Sequence, residues 1–194
     1  LILLTDDVYG TFVPGFRSLL GAFPYNTIGV YSYSKYFGCT GWRLGVIAVH
    51  EDNLFDKLIA KHPAAVQKKL DKRYGALSLE PRKIRFIDRI VADSRDVALN
   101  HTAGLSLPQQ VMMALFSLYE LMDTKKHYQK ACMAIVKKRV EATLEGLGIE
   151  VEKNPLHDQY YGLIDFEYWA RKNLGEDVVK WMKENIHPLD IVFR

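Results

Sequence analysis

Two short apolar runs, each followed at once by residues able to bind a ligand, constrain the fold of this chain most strongly. Residues 1–4 are continuously apolar and lead into Asp6, and residues 27–31 lead into the turn that holds Lys35. Continuous apolar runs of this length are typical of strands buried in a parallel sheet. Open α/β sheets bind their ligands beyond the carboxyl ends of such strands. The sequence therefore predicts an α/β fold with a ligand site near Asp6 and Lys35.

The turn after the second run carries side chains suited to a phosphorylated aldehyde. A lysine forms an imine only when its amine is partly neutral, which burial or nearby positive charge promotes. Lys35 has apolar neighbours and Arg43 close in sequence. The hydroxyls of Ser32 and Ser34 suit a phosphate, which the guanidinium of Arg43 can contact in bidentate fashion. Three glycines permit backbone conformations and close approaches that side chains would obstruct: Gly38, Gly41 and Gly45.

Asp6 and Tyr9 complete a site for an aromatic ring. A carboxylate at a strand end can pair with a protonated ring nitrogen, and a phenol three residues later can hydrogen-bond to a ring oxygen. Asp7 is a second candidate for the acid, but the spacing to Tyr9 favours Asp6. Taken singly, each residue has an ordinary interpretation as a turn or packing residue. Their joint order, with the Gly-x-Arg-x-Gly sequence at 41–45, predicts a pyridinium cofactor.

These motifs resemble those of the fold-type I pyridoxal-phosphate enzymes, specifically the class I/II aminotransferases. The resemblance implies pyridoxal 5'-phosphate as the cofactor, with Lys35 covalently bonded to it and acting as the catalytic residue. It implies that Asp6 pairs with the pyridine nitrogen and that Tyr9 contacts the ring hydroxyl. The phosphate would lie against three further side chains: Ser32, Arg43 and, beside them, Ser34.

Longer stretches resemble one branch of this class, whose members release the β-carboxylate of L-aspartate and also transfer its amino group. The similar stretches are 8–13, 31–46, 86–95 and 97–106, and a long charged segment after residue 49 resembles an extra segment of that branch. The resemblance implies β-decarboxylation of L-aspartate to L-alanine and CO2, with side aspartate aminotransferase activity. It also implies a homodimeric active-site unit within a larger homo-oligomer, a dodecamer.

Two other functions stay open on the sequence. An ordinary aminotransferase for aspartate, alanine or aromatic amino acids would use the same Lys35 and Asp6 without releasing CO2. An aminotransferase-like effector domain of a transcription regulator would bind the cofactor as a sensed ligand, and an upstream DNA-binding winged helix would favour it.

Composition limits the partners and the cellular location of the protein, but it does not identify its activity. The 194 residues are 48% hydrophobic and 25% charged, which is ordinary for a globular protein. The net charge of +3 is small, so neither a nucleic acid nor an anionic membrane is implied as a partner. Cys39 and Cys132 fit no metal spacing and indicate a reducing compartment. Because no run is long and apolar enough to span a bilayer and no signal sequence is visible, we expect a cytoplasmic protein.

The expected organisation is part of a fold-type I large domain followed by the start of a small one. We assign residues 1–122 to the cofactor-binding large domain, with a helical insertion at about 51–98, and residues 123–194 to a linking helix and a partial small αβ C-terminal domain. The chain begins and ends in strand-like segments, which predicts a fragment.

Hydrophobic periodicity predicts the remaining elements. Within the helical insertion, an apolar face is expected at Ile84, Ile87, Ile90 and Val91, and the basic run 67–73 is expected to be solvated. Cys39 is expected to be a small packing residue, and His101 a loop histidine. Further helices are predicted at 108–122, from about 125 to 146 and through 178–182, and further strands at 43–49, 149–151, 160–166 and 190–194.

Overall fold

The sheet that carries the candidate site has three strands in the order β1 (Leu3–Asp6), β2 (Thr27–Ser32) and β3 (Gly45–Val49) among the described residues. β1 pairs parallel with β2, so that Asp6 lies opposite Val30. β3 pairs antiparallel with β2, so that Gly45 lies opposite Ser32. The carboxyl ends of β1 and β2 and the start of β3 therefore share one edge. The computed structural model describes residues 1–97, 104–150, 154–187 and 190.

All three strand predictions in this region are confirmed, with one difference in burial. Side chains of β1 alternate between half-buried and exposed, and Leu4 is 71% exposed. Residues along a strand point to opposite faces. No described element therefore covers the face that carries Leu4, and the expectation that the whole run is buried is wrong for this chain.

Helices make up most of the other regular structure. They are α1 (Leu19–Ala22), α2 (Tyr33–Tyr36), α3 (Leu54–Ala60), α4 (Ala64–Tyr74), α5 (Phe86–Val97), α6 (Leu107–Met122), α7 (His127–Gly146), α8 (Phe166–Leu174) and α9 (Glu176–Asn185). Short 3-10 turns lie at Gly10–Phe12, Pro24–Asn26, Thr40–Trp42 and Pro81–Lys83. Within the described ranges, none of the helices has the length and apolar character needed to cross a membrane.

The chain divides into two compact units, Leu1–Cys132 and Met133–Arg194. This division lies within α7, whereas the sequence assignment places a domain boundary after residue 122. The assignment of residues 1–122 and 123–194 to parts of two domains stays a prediction.

The first unit has a hydrophobic cluster directly behind the turn that holds Lys35. Tyr33, Cys39 and Leu44 are its buried members. Cys39 is 7% exposed and has no disulfide, which confirms its role as a small packing residue. The partly buried residues packed against this cluster come from β2, the following turn, β3 and α6: Tyr31, Phe37, Val46, Leu105, Met112, Met113 and Phe116.

The described part of the predicted helical segment, residues 51–97, is helical as predicted and contains three helices. α3 ends before Pro63, and α4 ends at Tyr74, immediately before Gly75. A Cβ at Gly75 would lie only 2.8 Å from the carbonyl oxygen of Asp71, so the helix end requires a glycine there. The basic run 67–73 lies on α4, and its lysines are exposed, which confirms the solvated face.

The predicted apolar face of this segment is wrong in part. Ile84 precedes α5 and Val91 is exposed, whereas Arg89 is only 4% exposed. The Arg89 guanidinium donates to the carbonyl oxygens of Ile84 (3.0 Å) and Pro81 (2.8 Å). It also lies 4.7 Å from the centre of the Tyr74 ring. A charged side chain satisfied in this way can be buried, which a hydrophobic pattern does not reveal.

Helices α6 and α7 lie where the sequence predicts them. The backbone N–H of Ser106 donates to Oε1 of Gln109 (2.8 Å), as in a capping box, and Pro108 lies in the first turn of α6. Gly148, beyond the end of α7, has a φ of +65°, a conformation typical of glycine after a helix. Of the apolar residues that recur at helical spacing along α6, Met112 packs against the core, while four are exposed: Val111, Leu115, Leu118 and Met122.

The second unit confirms one predicted helix and corrects two strands. α9 covers the predicted helix at 178–182. No strand forms at 160–165, where Leu163 is fully exposed, and Phe166 already begins α8. Ile149 and Glu150 are also outside any strand. A strand needs a neighbour to satisfy its backbone groups, and no pairing joins these residues to the described sheet. Three predictions lie outside the described residues: those on His101, Val151 and the strand-like end at 191–194.

Candidate functional site

Asp6 and Ser32 lie at the carboxyl ends of two neighbouring parallel strands. The backbone N–H of Asp7 donates to the carbonyl oxygen of Val30 (2.9 Å), which continues the pairing to the end of β1. Oδ1 of Asp6 then accepts from the backbone N–H of Val8 (3.1 Å), and this bond turns the chain. The Asp6 carboxylate is exposed at this edge and is therefore accessible to a ligand.

The neighbouring acid is oriented differently. Oδ1 of Asp7 accepts from the hydroxyl of Thr5 (2.7 Å), and Asp7 is half-buried. This contact ties Asp7 back to β1. The exposure of the two carboxylates therefore supports Asp6 as the acid that faces a ligand, in agreement with the spacing in the sequence.

Tyr9 follows Asp6 in the same turn. The N–H of Gly10 donates to the carbonyl oxygen of Asp7 (3.0 Å), and that of Phe12 donates to the carbonyl oxygen of Tyr9 (2.9 Å). Tyr9 is half-buried at the start of the 3-10 turn. Successive backbone bonds thus hold Asp6 and Tyr9 in one ordered turn.

Lys35 lies on α2, a single helical turn that begins where β2 ends. Oγ of Ser32 accepts from the N–H of Ser34 (3.2 Å) and so caps this helix. Ser34 and Tyr36, on either side of Lys35, are 6% and 2% exposed, whereas Lys35 itself is half-buried. The turn therefore anchors the residues beside Lys35 and leaves the lysine partly accessible.

The loop after α2 returns to Ser32 and brings Arg43 with it. The carbonyl oxygen of Leu44 accepts from both the hydroxyl of Ser32 (3.3 Å) and the N–H of Tyr33 (3.1 Å). Arg43 has a φ of 54°, unusual for a side chain with a Cβ, and Nη1 of its exposed guanidinium donates to the carbonyl oxygen of Thr40 (3.1 Å). A guanidinium has five N–H donors, so this contact still allows it to bind a phosphate.

Two of the three glycines predicted to shape this loop are required by its geometry. Gly38 has a φ of +62°. A Cβ at Gly45 would lie 3.2 Å from the carbonyl oxygen of Tyr31, which is a close contact. Gly41 has open space around it and no positive φ, so the prediction for this position is wrong.

Sequence reasoning missed the side chains that hold α2 in place. The Tyr33 hydroxyl is hydrogen-bonded to Oγ of Ser117 (2.7 Å), and the Tyr36 hydroxyl donates to Oε2 of Glu120 (2.9 Å). Tyr128 on α7 donates its hydroxyl to the carbonyl oxygen of Tyr36 (2.8 Å). Two tyrosines flanking a lysine are a possible signal in the sequence, but their partners lie more than 80 residues away.

Burial raises the pKa of two of these tyrosines, Tyr36 and Tyr128. Burial and, after it, the hydrogen bond to Glu120 raise the pKa of Tyr36 well above its ordinary value. Burial likewise raises the pKa of Tyr128 to about 12. Both hydroxyls therefore keep their protons at neutral pH, and both hydrogen bonds persist there.

The donor set fits a phosphorylated pyridine aldehyde. It contains a strand-end acid, a phenol, an amine, hydroxyls and a guanidinium, all reached from one sheet edge through two short turns. These are the groups that a pyridinium nitrogen, a ring oxygen, an aldehyde and a phosphate require.

A cavity of about 670 Å³ lies away from this edge, between α3, α4 and the turn before α5. Three of its cationic side chains are already paired: Arg82 with Asp71 (2.7 Å), Lys83 with Glu80 (2.7 Å) and Arg85 with Asp88 (2.8 Å). These pairs belong to the helical segment itself and do not indicate a ligand site.

Comparison with known proteins agrees with this geometry. The family Aminotransferase class I and II matches residues 1–90, which include both turns of the site. Over all 194 residues the chain is 49% identical to a bifunctional aspartate aminotransferase and L-aspartate beta-decarboxylase of a Pseudomonas species.

The match covers the whole chain but only 36% of that relative, so the chain spans about a third of the relative's length. The family match together with the mixed sheet confirms the predicted α/β fold class, a fold-type I large-domain sheet with helices. The family match reaches residue 90, within the segment interpreted as an insertion, and that interpretation stays a prediction.

Proposed function

We propose that this chain is part of a pyridoxal-phosphate enzyme that converts L-aspartate to L-alanine and CO2, with side aspartate aminotransferase activity. The observation that supports the proposal is that Asp6, Ser32, Lys35 and Arg43 lie in or beside the turns at one edge of the sheet. Identity of 49% over the whole chain to a relative that bears both activities in its name supports the choice of reaction.

Each residue has one role in holding the cofactor. Lys35 bonds to its aldehyde, and the Asp6 carboxylate pairs with the protonated ring nitrogen. Tyr9 donates to the ring oxygen. The phosphate lies against the hydroxyl of Ser32 and the guanidinium of Arg43, with Ser34 beside them, where α2 begins and its N–H groups also favour an anion.

The reaction then requires removal of the Cα proton of aspartate and loss of its β-carboxylate. Bound pyridoxal phosphate supplies an electron sink for the substrate's Cα. With aspartate bound to the cofactor in place of Lys35, the amine of Lys35 would act as the base that removes the Cα proton. Asp6 keeps the ring nitrogen protonated, which strengthens the sink. With the cofactor bound, the β-carboxylate would leave as CO2, a proton would be added at Cβ and another returned to Cα, and alanine would be released. Without CO2 loss, hydrolysis would release oxaloacetate and leave the amino group on the cofactor.

A plain class I aminotransferase is the second candidate. The matched family supports it equally, because Lys35 and Asp6 serve both reactions. The two differ in one product, since the aminotransferase releases no CO2.

The test is CO2 and alanine release from L-aspartate by the full-length protein supplied with pyridoxal phosphate, beside its Lys35→Ala variant. We expect release by the parent and loss to background in Lys35→Ala, because no other group replaces the amine as both anchor and base. Lys57→Ala is the matched control, since Lys57 is an exposed lysine paired with Asp52 at 2.7 Å outside the site. Transfer to an α-keto acid without CO2 would leave the plain aminotransferase.

The proposal also includes the oligomeric state and the cellular location of the protein. We propose a homodimeric active-site unit within a larger homo-oligomer such as a dodecamer, located in the cytoplasm, with L-aspartate as the small-molecule substrate. Light scattering of the full-length protein after size-exclusion chromatography measures the assembly directly.

A further inference from the structure

The helix that carries Lys35 is bound to α6 by two hydrogen bonds of matched spacing. Tyr33 and Tyr36 are three residues apart on α2, and their partners Ser117 and Glu120 are three residues apart on α6. Residues three apart on a helix lie on the same face. One face of α2 therefore meets one face of α6 through two parallel polar contacts, with Lys35 between the two tyrosines in sequence.

The contact at Tyr36 is the more strongly built of the two. Tyr36 is 2% exposed, and its acceptor is a carboxylate, so the bond is charge-assisted. Oε1 of Glu120 in turn accepts from Nζ of Lys126 (2.6 Å), which orients the carboxylate. On the other side, the Tyr36 carbonyl oxygen accepts the Tyr128 hydroxyl. Tyr36 is thus held at both its side chain and its backbone.

α2 has little rigidity of its own. It is a single turn of four residues, and a turn of this length is not stable without tertiary contacts. The direction in which Lys35 leaves the backbone therefore depends on the contacts of its neighbours. Catalytic groups must be held close to their productive geometry, and a displacement of about 1 Å costs as much as 100-fold in rate.

We propose that Tyr36 and Glu120 are positioning residues for Lys35, and that their hydrogen bond orients the lysine toward the cofactor aldehyde. The inference rests on the proposed function, because it assumes that Lys35 bonds to pyridoxal phosphate. An acceptor oxygen at position 120 is what orients the turn, and the carboxylate charge strengthens the bond without being required for it. The ion pair with Lys126 is half-exposed and contributes little by itself.

The test measures how fast Lys35 becomes attached to added pyridoxal phosphate in the full-length apoprotein. Borohydride reduction at timed intervals traps the adduct, and peptide mapping assigns it to Lys35. We expect Tyr36→Phe and Glu120→Ala to form it about tenfold more slowly, as expected when one charge-assisted hydrogen bond is lost. Glu120→Gln keeps an acceptor oxygen and should stay within about twofold of the parent.

Controls separate positioning from folding. Glu141→Ala removes a glutamate from a lysine pair on α7 (3.8 Å to Lys137) and should form the adduct at the parental rate. Thermal unfolding of each variant identifies any that do not fold. If Tyr36→Phe does not fold, the difference in adduct-formation rate between Glu120→Ala and Glu120→Gln is sufficient to test the positioning role.

The outcomes distinguish the two proposals. Absence of the cofactor from Lys35 in the parent protein overturns the proposed function and this inference with it. A labelled parent with unchanged rates in Tyr36→Phe and Glu120→Ala overturns the positioning role alone. A Glu120→Gln variant as slow as Glu120→Ala also overturns it, because the acceptor would then not be the property that matters.

Discussion

The turn that holds Lys35 and the helical segment 51–97 are stabilised in opposite ways. α2 is held by buried tyrosines whose partners lie 84 residues away in the chain. The helical segment is held mainly by contacts among its own residues, among them Arg73 with Asp93 (2.9 Å) and Arg82 with Asp71 (2.7 Å). These pairs are largely exposed.

The difference is between a segment stabilised by contacts among its own residues and a segment stabilised by contacts with distant parts of the chain. Local ion pairs and caps let α3 to α5 form with few distant contacts. For example, the Asn53 side chain accepts from the N–H of Asp56 (2.9 Å) and so caps α3. The four residues of α2 are too few to form a stable helix alone. The site is thus the region most dependent on the rest of the unit, and variants far from it in sequence should affect it.

Replacement of Arg89 tests the helical segment most severely. Arg89→Met keeps much of the apolar stem but removes two hydrogen bonds to carbonyl oxygens and the contact with the Tyr74 ring. Nη1 of Arg89 has no hydrogen-bond partner among the described residues, which lowers the net contribution of this side chain. We expect the free energy of local opening to fall by about 2 kcal/mol.

Hydrogen exchange of the backbone amides at 84–93 in the full-length protein measures that change. Arg85→Met is the matched control, because Arg85 is exposed and pairs with another exposed residue, Asp88 (2.8 Å). It should change the same free energy by less than about 0.5 kcal/mol. Equal effects of the two variants would mean that the buried arginine has no special role, and the contrast between the regions would weaken.

Tyr33→Phe tests how much the long-range contacts of α2 contribute to stability. The variant keeps the ring, which stacks on Phe37 at a centroid distance of 5.4 Å, and removes the bond to Ser117. The Ser117 hydroxyl still donates to the carbonyl oxygen of Met113 (2.9 Å), so no buried donor is left unpaired. We expect a loss of about 1 kcal/mol in the free energy of unfolding.

Chemical denaturation of the full-length protein gives this value, with Tyr119→Phe as the control. Tyr119 lies on the same helix as Ser117 and is 51% exposed, so its hydroxyl should contribute almost nothing. Indistinguishable results for the two tyrosines would argue against the long-range attachment of α2.

Acid should loosen the helical segment before the site, by the smallest of these effects. The hydrogen bond from Arg82 holds the pKa of Asp71 below its ordinary value. A depressed pKa in the folded state means that this pair stabilises at neutral pH and that its contribution is lost as the pH falls below about 4. We expect hydrogen exchange in 71–85 to accelerate over that range, and the acceleration to be smaller in Arg82→Gln. An unchanged acid dependence in Arg82→Gln would show that the pair does not contribute.

Local sequence patterns were sufficient to predict many of the strands and helices. The apolar runs located β1, β2 and β3, and periodicity with a proline at the first turn located α6. These elements are specified by their own residues. The strand expected at 160–166 was wrong because a strand depends on a partner, and sequence periodicity does not report whether the partner is there.

The candidate site divides in the same way. Strand ends, a capping hydroxyl and the order of Asp6, Lys35 and Arg43 are local features, and each could be identified from the sequence. Glu120 and Ser117 could not, because a glutamate or serine on a helix is usually a surface residue and only its contact with α2 distinguishes it.

The sequence by itself determined which chemical groups are present and where strands and helices begin, since these depend on neighbouring residues and on backbone preference. Tertiary structure decided which of those groups meet. The parallel register placed Asp6 beside β2, the return of the loop placed Arg43 beside Ser32, and α6 oriented the turn that holds Lys35. The physical reason is that a hydrogen bond depends on distance in space, and residues 84 positions apart in the chain come within 3 Å only after the sheet and helices have packed.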